Sequence, residues 1–275
     1  MVNMLEYDIN SLDIKKIADS GQTFRMTLDT DLSLKAGSDV CTCIAGDKVC
    51  IAGAGRVRAR SAEEERPEDD AFWKQYFDLD TDYEALIDSI DPDDRYLTSA
   101  AEFGRGIRIL RQDPWEMLIT FIISQRRSIP SIKTCVEALC RRWGRPLGDG
   151  LYAFPSPEEL AAASLEDLAG CSLGYRAEYV YLAAQGVCSG GVDLAAMETL
   201  PDDLLLDALM SLRGVGPKVA NCVSLFGFHR IGAFPIDVWI DRVLKEYYPY
   251  GFPMDRYKGY AGVMQQYMFF AARKA

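Results

Sequence analysis

The sequence predicts an α+β chain, mostly helical, with a small antiparallel-sheet domain over residues 1–98 and a helical domain over 99–275. Three observations carry this reading. Residues 22–60 are rich in Thr, Val and Gly, and they contain the alternating stretches Val40-Cys41-Thr42-Cys43-Ile44 and Val49-Cys50-Ile51 around a polar turn at Gly46-Asp47, a hairpin pattern. From about residue 71 the apolar spacing becomes helical and stays so. Helix start signals then recur down the chain without an internal repeat.

Asp113-Pro114-Trp115-Glu116 combines an N-cap acid, Pro at the first helical position and Glu three residues after the cap. The run that it opens, through Ile123, is apolar on every side and predicts a central buried helix. Ser128-Ile129-Pro130 opens the next helix, in which Ile132, Cys135, Val136, Leu139, Cys140 and Trp143 keep one apolar face until Gly144. Ser156-Pro157-Glu158-Glu159 repeats the start signal and Gly170 reads as a stop. Further helices are expected at about 176–185, 202–212, 218–228, 238–247 and 257–272.

Composition narrows the function. The longest apolar run, 117–123, falls far short of the roughly 20 residues that span a bilayer, and the start MVNMLEYDIN has no export signal, so the expected location is cytoplasmic, nucleoid-associated in a prokaryote. Eight cysteines between Cys41 and Cys222 are too sparse for a disulfide framework and are expected reduced and buried. Cys41, Cys43 and Cys50 have no second pair and no nearby histidine, which speaks against zinc. A histidine-dependent centre of any kind has only His229 to build on. The net charge of -11 argues against a polyanion partner only superficially. Residues 63–94 hold fourteen acids against Arg66 and Lys74, which leaves the rest of the chain at +1, with basic excesses over 121–150 and from 210 to the end. Those two segments can form a positive face.

The segment richest in chemistry is Leu212-Arg213-Gly214-Val215-Gly216-Pro217-Lys218-Val219-Ala220-Asn221-Cys222. Gly214 and Gly216 permit a tight hairpin and Pro217 begins a helix, so backbone amides at that helix start can hold a phosphate without side-chain charge. A tight helix–helix turn with glycines for steric reasons explains the same residues. Lys218 lies in the first turn of that helix among apolar neighbours, where the positive helix end and partial desolvation both favour a nucleophilic neutral amine. Nineteen residues on, Phe234-Pro235-Ile236-Asp237-Val238-Trp239 sets an acid at a helix start. Singly, Asp237 reads as an N-cap and Lys218 as a surface lysine; together they point to a site.

With these residues the sequence resembles the helix-hairpin-helix DNA glycosylases, and within them the 8-oxoguanine DNA glycosylases. LRGVGPKVANC followed by FPIDVW is similar to that superfamily's hairpin and Gly/Pro-Asp signature. Ser20-Gly21-Gln22-Thr23-Phe24-Arg25 resembles the family's Gly-Gln-Ser-Phe-Arg stretch, and Leu110-Arg111-Gln112-Asp113-Pro114, Phe121-Ile122, Leu173-Gly174-Tyr175-Arg176-Ala177 and the segment from Ala261-Gly262 to Phe269 resemble later family segments in the same order.

The resemblance implies a TATA-binding-protein-like N-terminal domain before the glycosylase core, no cofactor or metal, and double-stranded DNA containing oxidised guanine as the partner of a monomer. It implies that a flipped-out nucleotide is attacked at C1′ by Lys218 while Asp237 stabilises the cationic sugar, and that β-elimination from the Schiff base nicks the strand. It further implies that the Gly21 carbonyl meets the N7 hydrogen of the oxidised base, that Gln265 reads its Watson–Crick edge, and that Phe269 and Cys222 sandwich the ring. Tyr175 then wedges into the duplex and Arg176 reaches the opposite base. As plain residue types, these positions also read as a turn glycine, a surface glutamine, core packing, a cap and a surface charge.

The sequence departs from the family in three respects. Gln125-Arg126-Arg127-Ser128 and Ser131 stand where animal members carry asparagines and then an arginine, which predicts weaker discrimination of the opposite base, with Arg126 or Arg127 filling the gap or contacting phosphate. Trp239 replaces a phosphate-contacting histidine, and no cysteine follows Cys222 to build the iron–sulfur loop of other branches. The competing readings are a helix-hairpin-helix glycosylase for another lesion such as an alkylated purine, against which Lys218 speaks, and a non-enzymatic module that grips phosphate.

Overall fold

The structure is a computed structural model that describes residues 5–6, 12–36, 38–53, 56–59 and 67–274. The expected hairpin is present, and it is the middle of a larger sheet. In chain order come β1 (Leu5–Glu6), α1 (Ile14–Asp19), β2 (Met26–Leu28), α2 (Thr30–Ala36), β3 (Val40–Ala45), β4 (Lys48–Gly53) and β5 (Arg56–Ala59). The strands form one sheet in the order β1-β5-β4-β3-β2, with antiparallel pairing of β1 with β5, β2 with β3 and β4 with β5. Cys41, Cys43 and Cys50 are fully buried in it, and burial, then the neighbouring Cys50, push the Cys43 thiol up, which suits inert packing. All eight cysteines are free, and only Cys188 is exposed. The acidic positions Glu63, Glu64 and Glu65 lie outside the described residues.

The rest of the chain is mainly helical: α3 (Pro67–Tyr76), α4 (Tyr83–Asp88), α5 (Arg95–Gly104), α6 (Pro114–Ser124) and α7 (Ile129–Trp143), then a short hairpin of β6 (Pro146–Gly148) and β7 (Leu151–Tyr152). After it come α8 (Pro157–Ala161), α9 (Leu165–Leu168), α10 (Arg176–Cys188), α11 (Leu194–Met197), α12 (Asp202–Met210), α13 (Pro217–Phe226), α14 (Val238–Tyr247) and α15 (Ala261–Lys274). The fold is therefore α+β and mostly helical. The Asp113 side chain caps α6 by accepting from the Glu116 amide at 2.8 Å, and every residue from Trp115 to Ser124 is buried. Ser156 and Glu159 close a reciprocal capping box on α8. Gly170 follows the C-cap of α9, Ala169, as its stop reading expects; a π-turn over Ala169–Leu173 comes next, in which Cys171 and Ser172 leave the helical region, Ser172 at φ 61°. The final helix begins at Ala261, after turn residues at 257–260.

Two compact units divide the chain. The first combines Met1–Cys43, Val49–Arg111 and His229–Ala275; the second combines Ile44–Lys48 with Gln112–Phe228. Within the first unit α15 packs on α5 and on α14. A buried polar cluster knits that unit. Asp78, 2% exposed, accepts from Tyr83 Oη at 2.9 Å and from Arg111 Nε at 2.9 Å, and His229 Nε2 lies 3.4 Å away. Burial works to raise the Asp78 carboxyl, but His229, Thr81 and Arg111 outweigh it and hold it at about 2. The one histidine in the chain is thus engaged with Asp78 and the Ile109 carbonyl. Among the described residues no group of three or more His, Cys, Asp or Glu could hold a metal ion, and no helix is long and apolar enough to cross a membrane.

Candidate active site

In the second unit, α12 and α13 are joined by the Gly214-Val215-Gly216 turn. Gly214 has φ +84°, and a Cβ there would lie 2.3 Å from the Tyr179 ring, so glycine is required twice over. Val215 is buried and anchors the turn, and its amide donates to the Leu212 carbonyl at 3.0 Å. Gly216 is the N-cap of α13 with no side-chain capping bond, and Pro217 takes the first helical position. Lys218 comes next, half-buried, with Nζ 5.2 Å from the centre of the Phe121 ring on α6. Cys222, one turn further along α13, is buried.

The hairpin is braced by the loop after α6. Gln125 Nε2 donates to the Gly214 carbonyl and to the Ile122 carbonyl, each at 3.0 Å. The Gln125 carbonyl in turn accepts from Arg176, whose Nε lies at 2.9 Å and whose Nη2 also donates to it, while Nη1 donates to the Leu173 carbonyl at 3.2 Å. Arg176 is only 6% exposed, so its guanidinium is committed to backbone carbonyls rather than presented to a base. Burial lowers this guanidinium from its ordinary range, and the charges of Arg127 and Arg126 act in the same direction. Arg127 is likewise engaged, with Ser131 Oγ at 2.8 Å and with the Ser172 carbonyl. Arg126 differs: it is exposed, sits at φ +53°, and makes no hydrogen bond or ion pair among the described residues. Tyr175, 51% exposed, sits at the start of α10 with the Arg176 guanidinium stacked over its ring at 4.4 Å.

The first unit gathers the other predicted residues. Asp237 is the N-cap of α14, and a single oxygen, Oδ1, accepts from the Trp239 amide at 3.0 Å and the Ile240 amide at 2.9 Å. Oδ2 has no partner among the described residues. Gln265 on α15 is 4% exposed; its Nε2 donates to the Pro235 carbonyl at 2.9 Å, and its Oε1 is buried without a partner. Four residues along the same helix, Phe269 is half-buried. Gly21 lies in a turn at φ 77°. The carbonyls before it are taken: Ser20 O by Gln266 Nε2 at 2.8 Å, and Asp19 O by Arg273. Gln22, fully buried, locks the other side through Ser20 Oγ at 3.0 Å, the Arg108 carbonyl at 2.9 Å and the Leu110 amide at 2.8 Å. The Gly21 carbonyl itself has no partner among the described residues. Two acceptors of the first unit, Gly21 O and Gln265 Oε1, are thus without a partner among the described residues, as expected where a ligand supplies donors. Sequence reasoning missed Gln266 and Arg273, for which only their spacing on α15 offers a signal.

A glycine hairpin with an open helix start, a lysine just after it and an acid capping a later helix define a base-excision DNA repair protein of the helix-hairpin-helix class. Residues 119–254 match the family described as HhH-GPD superfamily base excision DNA repair protein, and residues 4–118 match the 8-oxoguanine DNA glycosylase N-terminal domain. The chain is 31% identical over 231 residues to a probable N-glycosylase/DNA lyase of Methanothermobacter thermautotrophicus, covering 72% of this chain and 73% of that protein. It is 35% identical over 190 residues to the N-glycosylase/DNA lyase of Saccharomyces cerevisiae, covering 63% of this chain and half (50%) of the yeast protein. The structure is similar to that of Clostridium acetobutylicum 8-oxoguanine glycosylase/lyase in complex with double-stranded DNA carrying cytosine opposite the lesion, with a TM-score of 0.87, 30% identity and coverage of 100% of this chain and 98% of that one. The chain belongs to the 8-oxoguanine DNA glycosylase family.

Proposed function

We propose that this protein excises 8-oxoguanine from duplex DNA and then nicks the strand at the resulting abasic site. Lys218 is the nucleophile. Its neutral amine attacks C1′ as the C1′–N9 bond breaks and the base departs with a proton; the resulting amine adduct opens to an imine. Loss of a proton from C2′ then breaks the C3′–O bond, which is the nick. Asp237, its Oδ1 fixed by the start of α14, directs Oδ2 at the sugar as positive charge develops there. Gly21, Gln265, Phe269 and Cys222 hold the extruded base. The amides of Gly214, Val215 and Gly216 grip phosphate. Tyr175 and Arg126 enter the duplex, while Gln125, Arg127 and Arg176 set the loop that presents Arg126. The protein acts as a monomer in the cytoplasm, at the nucleoid in a prokaryote, and needs no cofactor.

The observation that carries the reading is the half-buried amine of Lys218 against the Phe121 ring, immediately after the hairpin, in a chain of this family. Borohydride reduction on an 8-oxoguanine duplex tests it. Covalent trapping is expected with the lesion, absent with undamaged DNA, and lost in Lys218→Gln. Trapping that persists in Lys218→Gln would overturn the assignment, and equal trapping on an alkylated-purine duplex would move the substrate.

A further inference from the structure

The Arg273 guanidinium touches both walls of the proposed base pocket. Nη2 donates to the Asp19 carbonyl, two residues before Gly21, and Cζ lies 5.5 Å from the centre of the Phe269 ring. The two residues are one helical turn apart on α15, so the ring and the guanidinium share a face. A guanidinium does both things at once because its flat face stacks on an aromatic ring while its N–H groups donate in plane. An ammonium cannot.

We propose that Arg273 is the positioning residue of the base pocket, a planar clamp that fixes the turn presenting the Gly21 carbonyl relative to the Phe269 ring. Three further observations agree. Lys274 Nζ lies 3.4 Å from the Asp19 carboxylate, so the same turn is held by two consecutive residues of α15. Gln266 holds the intervening Ser20 carbonyl, which leaves Gly21 as the one carbonyl of the three without a partner among the described residues. Arg273 Nη1 is buried and unpaired, a costly state that persists where the surroundings fix the group for another purpose. The clamp distinguishes the two halves of the reaction. Removing a base requires the pocket, whereas nicking at a site that has already lost its base does not.

The inference rests on the base-pocket reading, and its test separates the two. Single-turnover excision of 8-oxoguanine and nicking of a preformed abasic duplex are measured for Arg273→Leu, Arg273→Lys and Phe269→Ala. For Arg273→Leu, excision is expected to fall about tenfold with nicking held within about threefold of wild type, since small misplacements at a reacting centre cost that much. Arg273→Lys keeps the charge and loses the fork, so it is expected to show the same selective loss to a smaller degree, and it carries the comparison if the leucine variant fails to fold. Excision that falls by less than about threefold in both variants, or that falls in step with nicking, overturns the clamp. If Phe269→Ala itself leaves excision intact, the pocket reading fails and the clamp with it; if Phe269→Ala abolishes excision while both Arg273 variants retain it, the clamp alone fails.

Discussion

Two helices of this molecule begin in opposite ways. At the start of α13, Gly216 offers no side chain to the first amides and Pro217 has no amide to satisfy, so the positive end of the helix stays open. At the start of α14, Asp237 fills the same role with its own oxygen, spanning the Trp239 and Ile240 amides. The open start suits an anion that arrives from outside. The closed start consumes one carboxylate oxygen and, in doing so, aims the other. One local device, the first turn of a helix, is thus left open in the second unit, where we propose that it grips the strand, and is closed by a carboxylate in the first.

Exchanging the two designs tests this difference. Asp237→Asn keeps a competent cap and removes the charge, so the fold is expected to survive while excision falls by about 10²- to 10³-fold, the usual cost of losing one preorganised electrostatic group; a loss below tenfold in single-turnover excision would reduce Asp237 to a cap. Gly214→Ala attacks the turn that sets up the open start. With φ +84° and a ring 2.3 Å from the new Cβ, it is expected to cost about 2 kcal/mol, read as a lower Tm with weaker DNA binding. Asp78 provides a contrast, a buried aspartate outside the proposed site. Its carboxyl sits at about 2 in the fold against roughly 4 when unfolded, so its contribution, about 2 kcal/mol, is complete above pH 4 and is lost as pH falls through 2. Asp78→Asn is therefore expected to be less stable at neutral pH, with the gap to wild type closing below pH 3 in denaturant titrations. The smallest effect is the most pointed. Gly216→Asp has nothing within 4 Å of the new Cβ and gives α13 the cap that α14 already has. Tm is expected to hold or rise slightly, while DNA affinity drops by about tenfold and its dependence on salt weakens by about one phosphate contact.

How far the sequence disclosed these features depends on how local their causes are. Asp237 as a cap, the central helix after Asp113 and the hairpin around Gly46 all rest on signals within a few residues, and the residues themselves carried them. Arg176 shows the opposite case. Its spacing says nothing of a Gln125 carbonyl 51 positions away, yet that carbonyl is where its guanidinium points. The unpaired oxygen of Gln265 is hidden in the same manner, because its amide partner Pro235 belongs to a different segment. Gly170 read as a stop because glycine ends helices more often than it continues one, and it follows the C-cap of α9; the π-turn after it had no local signal.

The bond from Gln266 to the Ser20 carbonyl joins residues 246 positions apart. During synthesis the Gly21 turn emerges well before its braces on α15. A nascent chain can therefore display the hairpin and its lysine before Gln266 and Arg273 are there to hold the carbonyls that precede Gly21, and the bracing of that turn waits for translation to reach α15.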